Sequence, residues 1–407
     1  MQARDDRRLL FNVTVPLYRT AEGLWLEDQA CNGLRLWAEH FAALTVMMPV
    51  RDGPPPPAWR PIETVGPSLE RIRIVPLPWA WRPDQFLRVY RRTRDTIRAE
   101  IAAADMVSFA IGGLFGDWGA VACREAYRMG RPYGIWTDRV ESEVVRRTAA
   151  SQPWRRRLMA RLTHRPMAWL ERHLIRRAAL GMFHGRETYD TYAPHCRRPE
   201  LVHDIHIAKS DHIPAGMLAD KGAGAADGPL RIGYVGRASA MKGGLDWVDV
   251  LRRLAEAGVA FRAFWLGDGP DLPQMRARLA EAGLDDRVDL PGFVNDRAEI
   301  LARLRAAQVF LFCHKTPESP RCLIEALISA TPIVGYEGAF ARDLIVAHGG
   351  GRLVPLGDVE ALAAETARLA ADRGALAALI DAAGRDGMPF DDETVFRHRC
   401  DLIRRHL

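Results

Sequence analysis

Short apolar runs alternate along this chain with stretches in which apolar residues recur every three to four positions, the first pattern predicting strands and the second helices. Leu9–Val15, Leu44–Val50, Arg71–Leu77, Met106–Ile111 and Tyr133–Thr137 read as strands, with helices over Asp28–Phe41, Asp84–Ala103 and Asp117–Met129 between them. A second series starts at Leu230, with strands Arg231–Val235, Ala260–Leu266, Arg287–Leu290, Val309–Cys313 and Pro332–Gly335. Its helices are Gly244–Glu256, Leu272–Ala282, Arg297–Arg305 and Pro320–Ala330. Strands that alternate with helices predict parallel, doubly wound α/β sheets. Two such series predict two Rossmann-like domains facing a cleft, residues 1–213 and 230–389. A glycine-rich linker is expected at 214–229, and a last helix over 390–407 is expected to cross back to the first domain.

Length agrees with this division, because 407 residues exceed what one core usually serves. Six cysteines without a CxxC pair give neither a zinc site nor a disulfide framework. The N-terminal MQARDDRRLL lacks the apolar stretch of a signal peptide, and no uninterrupted apolar run reaches membrane-spanning length, so the expected location is the cytoplasm. A net charge of +6 favours an anionic partner. Interleaved acids argue against nucleic acid, and the basic residues include only four lysines, Lys209, Lys221, Lys242 and Lys315.

Candidate chemistry gathers at the strand ends of the second series. Gly236-Arg237 followed by Lys242-Gly243 places two cations and two glycines at a strand-to-helix corner, where backbone approaches a ligand and the cations suit a diphosphate. In TPESPRCLIEALISATPIVG, Ser319 suits an N-cap and Pro320 the first helical position. The N–H groups of Arg321, Cys322 and Leu323 would then face an anion. Glu325, one turn on, suits two hydrogen bonds from ribose hydroxyls. Glu318 and Glu325 equally read as ordinary acids complementing a helix dipole. Gly267-Asp268-Gly269-Pro270 is explained by turn chemistry, and Gly292, Phe293 and Val294 read either as a plain turn or as backbone beside a base.

Taken in order, GYVGRASAMKGG, WLGDGP, LPGFV and ESPRCLIEALISATPIVG resemble the donor half of glycosyltransferase family 4, over residues 230–355, and the chain as a whole resembles the GT-B plan more loosely. The resemblance implies a retaining transfer of a hexose from a nucleotide-sugar to a glycan or lipid-linked acceptor in bacterial envelope or exopolysaccharide synthesis. It assigns Arg237 and Lys242 to the diphosphate, the Gly292–Val294 loop to the base and Glu325 to the ribose. Two departures stand out. Glu318 and Glu325 are seven positions apart where the family usually has eight, with Pro317 at the first place, and Gly23 is the only glycine in the first loop. The altered spacing leaves a second reading, a catalytically silent nucleotide-sugar-binding protein.

In the first domain Trp136-Thr137-Asp138 and Glu141 lie just beyond a strand's carboxyl end, facing the expected cleft, and Asp138 reads either as contacting or deprotonating an acceptor hydroxyl or as a turn former. No metal ligand set is expected, and no cofactor besides the sugar donor as substrate. Finally, residues 151–180 combine eight arginines, two tryptophans and a single acid at near-helical spacing, with Pro166 expected to split them into two helices. An anionic membrane surface and a solvated pair of domain helices both fit that pattern.

Overall fold

A computed structural model describes residues 5–149, 153–316 and 319–407. The chain divides into two compact units, one made of Met1–His206 with Asp392–Leu407, the other of Ile207–Asp391.

The first unit runs β1 (Asp5–Asn12), β2 (Leu17–Thr20), β3 (Gly23–Glu27), α1 (Asp28–His40), β4 (Phe41–Asp52), β5 (Trp59–Pro61) and β6 (Ile72–Pro78). It continues through α2 (Pro83–Ala103), β7 (Met106–Ala110), α3 (Trp118–Arg128), β8 (Gly134–Thr137), α4 (Glu141–Thr148), α5 (Trp154–Ile175), β9 (Leu180–His184), α6 (Gly185–Tyr192) and β10 (Pro199–Val202). The parallel body of its sheet has the order β6-β4-β1-β7-β8-β9-β10. β2, β3 and β5 extend one edge, with antiparallel pairing between β2 and β3 and between β3 and β5. The central strands are nearly all buried, as a sheet covered by helices on both faces requires.

The second unit comprises α7 (Ala215–Ala223), β11 (Leu230–Val235), α8 (Gly244–Glu256), β12 (Phe261–Leu266), α9 (Leu272–Glu281), β13 (Val288–Gly292), α10 (Arg297–Ala306) and β14 (Val309–Phe312). After these come α11 (Arg321–Ile328), β15 (Ile333–Tyr336), α12 (Ala339–Ile345), β16 (Gly351–Val354), α13 (Val359–Ala371) and α14 (Arg373–Gly387). Its six strands pair in parallel in the order β13-β12-β11-β14-β15-β16. In both sheets the order reverses beside the first strand, between β1 and β7 and between β11 and β14. Open α/β sheets bind ligands at the carboxyl ends of strands at that reversal.

The terminal helix α15 (Asp392–His406) packs in the first unit against α1. Arg399 fastens it there. Its guanidinium is buried, bonds Asp204 Oδ1 at 2.9 Å and lies 5.1, 4.9 and 5.1 Å from the ring centres of Trp37, Trp136 and Phe396.

Two sequence expectations need correction. Residues 214–229 are not a free linker, because 215–223 form α7, closed by Gly224 and packed in the second unit against α14. Lys221 is buried there, its Nζ donating to Ser329 O at 2.9 Å and Thr331 Oγ1 at 2.8 Å, and those bonds anchor a stretch that composition alone reads as loose. Nor does Pro166 split α5, which continues unbroken through it. Among the described residues no helix is long and apolar enough to cross a membrane.

Candidate functional site

The crevice of the second unit is floored by backbone. β11 leads into Gly236, whose N–H donates to Leu266 O at 2.9 Å, and the Ala238 N–H donates to Asp268 O at 3.0 Å. These contacts bring the loops so close that a Cβ on Gly267 would stand 2.0 Å from Gly236 O, and one on Gly269 would stand 2.1 Å from Ala238 O. Gly267 N–H in turn donates to Gly292 O at 2.8 Å, tying in the end of β13. The glycines of WLGDGP therefore answer a packing demand between neighbouring loops and not only a turn. On the other side of β11, Gly243 has φ 69° and would place a Cβ 2.0 Å from Cys313 O, at the end of β14. Lys315 N–H donates to Met241 O at 2.9 Å.

Arg237 is exposed on this floor and Lys242 is half-buried, immediately before Gly243 caps α8. The cations thus stand beside a helix N-terminus in the crevice where the strand order reverses, an arrangement suited to phosphate. Lys315, another of the four lysines, bonds Asp246 Oδ1 at 2.6 Å, and Tyr336 Oη donates to Asp246 Oδ2 at 2.8 Å. His314 next to it is buried against the Tyr234 hydroxyl.

Glu325 lies on α11 with its carboxylate bonded by Arg297 Nη1 at 3.1 Å, while Arg297 also holds Asp211 Oδ2 at 2.7 Å. Arg297 is the first residue of α10, directly after the Gly292–Asp296 loop, so it joins Glu325 to that loop. Phe293 is 75% exposed there and Val294 half-buried. Arg297 and Asp211 escaped sequence reasoning because neither lies in a motif. The scarcity of lysine was the one signal that marked Lys315.

α11 begins one residue later than expected. Pro320 is its N-cap, with φ −74° and ψ 119°, and makes no side-chain cap bond, so Ser319 does not cap the helix. The Leu323 N–H is not open to an anion, since it donates to Pro320 O at 3.1 Å and its side chain is buried. Arg321 and Cys322 occupy the first turn. Glu318 lies outside the described residues.

Asp138 belongs to the first unit and lines a cavity of about 210 Å³ at that sheet's own reversal. Asn12 builds its base, accepting from Ala110 N–H at 2.8 Å and donating to Ala110 O at 3.2 Å across β1 and β7. Asp117 holds the Gly112-Gly113 turn, accepting from those two N–H groups at 2.8 and 2.9 Å and from Ala120 N–H at 2.9 Å. Burial raises the Asp117 pKa against those bonds. Trp81, Trp118 and Trp136 line the same space, and Trp79 and Trp81 are partly exposed in edge contact, 5.6 Å between ring centres. Behind the lining residue Glu141, Glu171 of α5 accepts from Ser142 N–H at 3.0 Å and from Ser142 Oγ at 2.6 Å. Among the described residues no three His, Cys, Asp or Glu side chains gather as a metal-holding group.

Comparison with known proteins agrees with this geometry. Residues 229–372 match the family model described as Glycosyl transferases group 1. The chain is 35% identical over 141 residues to the putative colanic acid biosynthesis glycosyltransferase WcaL of Escherichia coli K12, covering 33% of this chain and 34% of that protein. It is 32% identical over 227 residues to the 2-deoxystreptamine N-acetyl-D-glucosaminyltransferase of Streptomyces fradiae, covering 53% and 52%. The matches thus span about a third and about half of those relatives' lengths. Anabaena HepE, solved in complex with UDP, superposes with a TM-score of 0.68 at 14% identity over 98% of this chain and all of that one, a likeness of fold. Residues 229–372 are therefore similar to the group 1 glycosyl transferases, in a chain with the GT-B fold.

Proposed function

We propose that this chain transfers a hexosyl group from a nucleotide-sugar, with a uridine diphosphate carrier, to a glycan or lipid-linked acceptor in bacterial envelope or exopolysaccharide synthesis. The observation that carries the reading is the second unit's crevice, where Arg237 and Lys242 stand on a glycine floor beside the α8 N-terminus. Arg237 supplies a two-pronged fork and Lys242 a point charge, and both neutralise the negative charge that grows on the departing diphosphate. Glu325, oriented by Arg297, receives the ribose hydroxyls, and exposed Phe293 offers a face to the base. Glu318 takes the donor sugar. In the first unit the 210 Å³ cavity receives the acceptor, and Asp138 contacts or deprotonates its hydroxyl. Retention at the anomeric carbon and independence from added metal complete the reading. HepE's complex with UDP and the colanic acid role in the WcaL name support the carrier and the pathway class.

A panel of nucleotide-sugars, read first by melting temperature and then by nucleotide release with acceptor glycans, tests this. One uridine diphosphate sugar should raise the melting point, since binding only the folded state stabilises it by mass action. Its turnover should survive EDTA and give a retained product by NMR. No response to any donor would refute the reading; loss of turnover with EDTA, or an inverted product, would refute that part. The seven-residue spacing of Glu318 and Glu325 favours a second reading, donor binding without transfer, which saturable binding with no nucleotide release on any acceptor would support.

A further inference from the structure

Helix α5 presents two unlike faces. Met167, Glu171 and Leu174 are buried, and Glu171 is the only acid between Trp154 and Arg177. The opposite face carries Trp154, Leu158, Leu162, Arg165, Trp169, Arg172 and Arg176, all exposed. The two tryptophans are 69% and 64% exposed. Elsewhere on this surface arginines answer acids one turn away, as Arg252 does Glu256, Arg368 does Glu365 and Arg385 does Asp381. Among the described residues Arg165, Arg172 and Arg176 have no ion pair. They border a groove of about 390 Å³ along with His164, Trp169 and His173. The stripe is thus richer in apolar side chains at the start of the helix, where exposed Arg161 also lies on it, and richer in arginine further on.

We infer that the outward face of α5 docks the first unit on a bilayer of anionic phospholipid. Tryptophan and leucine suit the boundary between headgroups and acyl chains, and arginines on the same stripe suit the phosphates above it. From Leu158 to Arg176 the stripe advances by alternating steps of four and three residues, the spacing of a helix-to-helix seam. A second copy is nevertheless a poor occupant, because Arg165, Arg172 and Arg176 would bring like charges together along that seam. Nucleic acid would meet the arginines but leave Trp154, Leu158 and Leu162 in water. The buried side of the same helix holds Ser142 through Glu171, next to Glu141 of the cavity lining.

Flotation of the full chain with vesicles tests this without donor or acceptor, so its outcome is separate from that of the transferase reading. Vesicles of phosphatidylcholine with about 30% phosphatidylglycerol should capture the protein at about 0.05 M salt and lose most of it at about 0.5 M, while phosphatidylcholine alone captures at least about tenfold less. Arg165→Glu/Arg172→Glu/Arg176→Glu should lower partitioning by about a hundredfold or more, each arginine contributing about fivefold. Trp154→Ala/Leu158→Ala/Leu162→Ala should lower it about tenfold and leave the salt dependence in place. Equal partitioning into neutral and anionic vesicles would overturn the inference on the wild-type chain alone. So would a wild-type dimer, by light scattering, that the arginine substitutions dissociate.

Discussion

At the reversal of the first sheet the crevice is walled by side chains, whereas at the reversal of the second it is floored by main chain. Asn12, Trp81, Trp118 and Trp136 shape the former into a cavity, and its turn of Gly112 and Gly113 is held by a buried carboxylate. In the latter, Gly236, Gly243, Gly267 and Gly269 let loops meet at distances no side chain permits, and charge is supplied by Arg237 and Lys242. Under the proposed function, one fold would serve two kinds of recognition. A side-chain cavity selects by shape, which suits an acceptor. A backbone floor with cations selects phosphate, which every nucleotide-sugar carries.

Asp138→Asn gives the largest expected separation between the two crevices. It should lower turnover about a hundredfold and leave donor affinity unchanged, as judged by steady-state rates at saturating donor beside a donor titration. Equal loss in both measurements would contradict the division of labour.

Gly243→Ala and Gly119→Ala come next. Each adds a Cβ against a carbonyl, 2.0 Å from Cys313 O in the second unit and 1.8 Å from Ala110 O in the first. Each should cost about 2 to 4 kcal/mol in urea unfolding. Only Gly243→Ala should also weaken donor binding in the surviving folded fraction.

The smallest effect separates the units by pH. Burial, followed by the neighbouring His184 and His398, lowers the His203 pKa to about 3. The unfolded chain takes up that proton near 6.5, so between these values the unfolded state binds more protons and stability falls as the solution is acidified. The first unit should lose about 1 to 3 kcal/mol between pH 6.5 and pH 4, and His203→Gln should flatten that slope. Urea midpoints across this range, followed by fluorescence, check it.

The same contrast governs how much the sequence disclosed. Main-chain recognition leaves glycines and cations in consecutive positions, so Gly236, Arg237, Lys242 and Gly243 could be named from a single loop. The cavity draws on short runs scattered from Asn12 to Glu141, and only the run at the end of β8, Trp136-Thr137-Asp138 with Glu141, is legible in the sequence. The Arg297 tether was hidden for a similar reason, since its partners Glu325 and Asp211 lie 28 and 86 positions away. Most strands and helices of the two series are legible because their period is local, whereas β16 has no signal of that kind and Pro166 makes α5 read as two helices. The β2–β3 hairpin is hard to read because Arg19, Thr20 and Glu27 break its apolar residues into runs too short to mark a strand. α7 was read as linker because its glycines and alanines give no amphipathic stripe, and the burial of Lys221 that anchors it is a tertiary fact.

The central claim is that the backbone-floored crevice grips a nucleoside diphosphate through Arg237 and Lys242. Calorimetric titration of uridine diphosphate into the wild-type chain and into Arg237→Ala and Lys242→Ala tests it most directly. Each substitution should weaken binding by about 1.5 to 3 kcal/mol, the loss of one charge-assisted contact. Affinities unchanged in both variants would contradict the account.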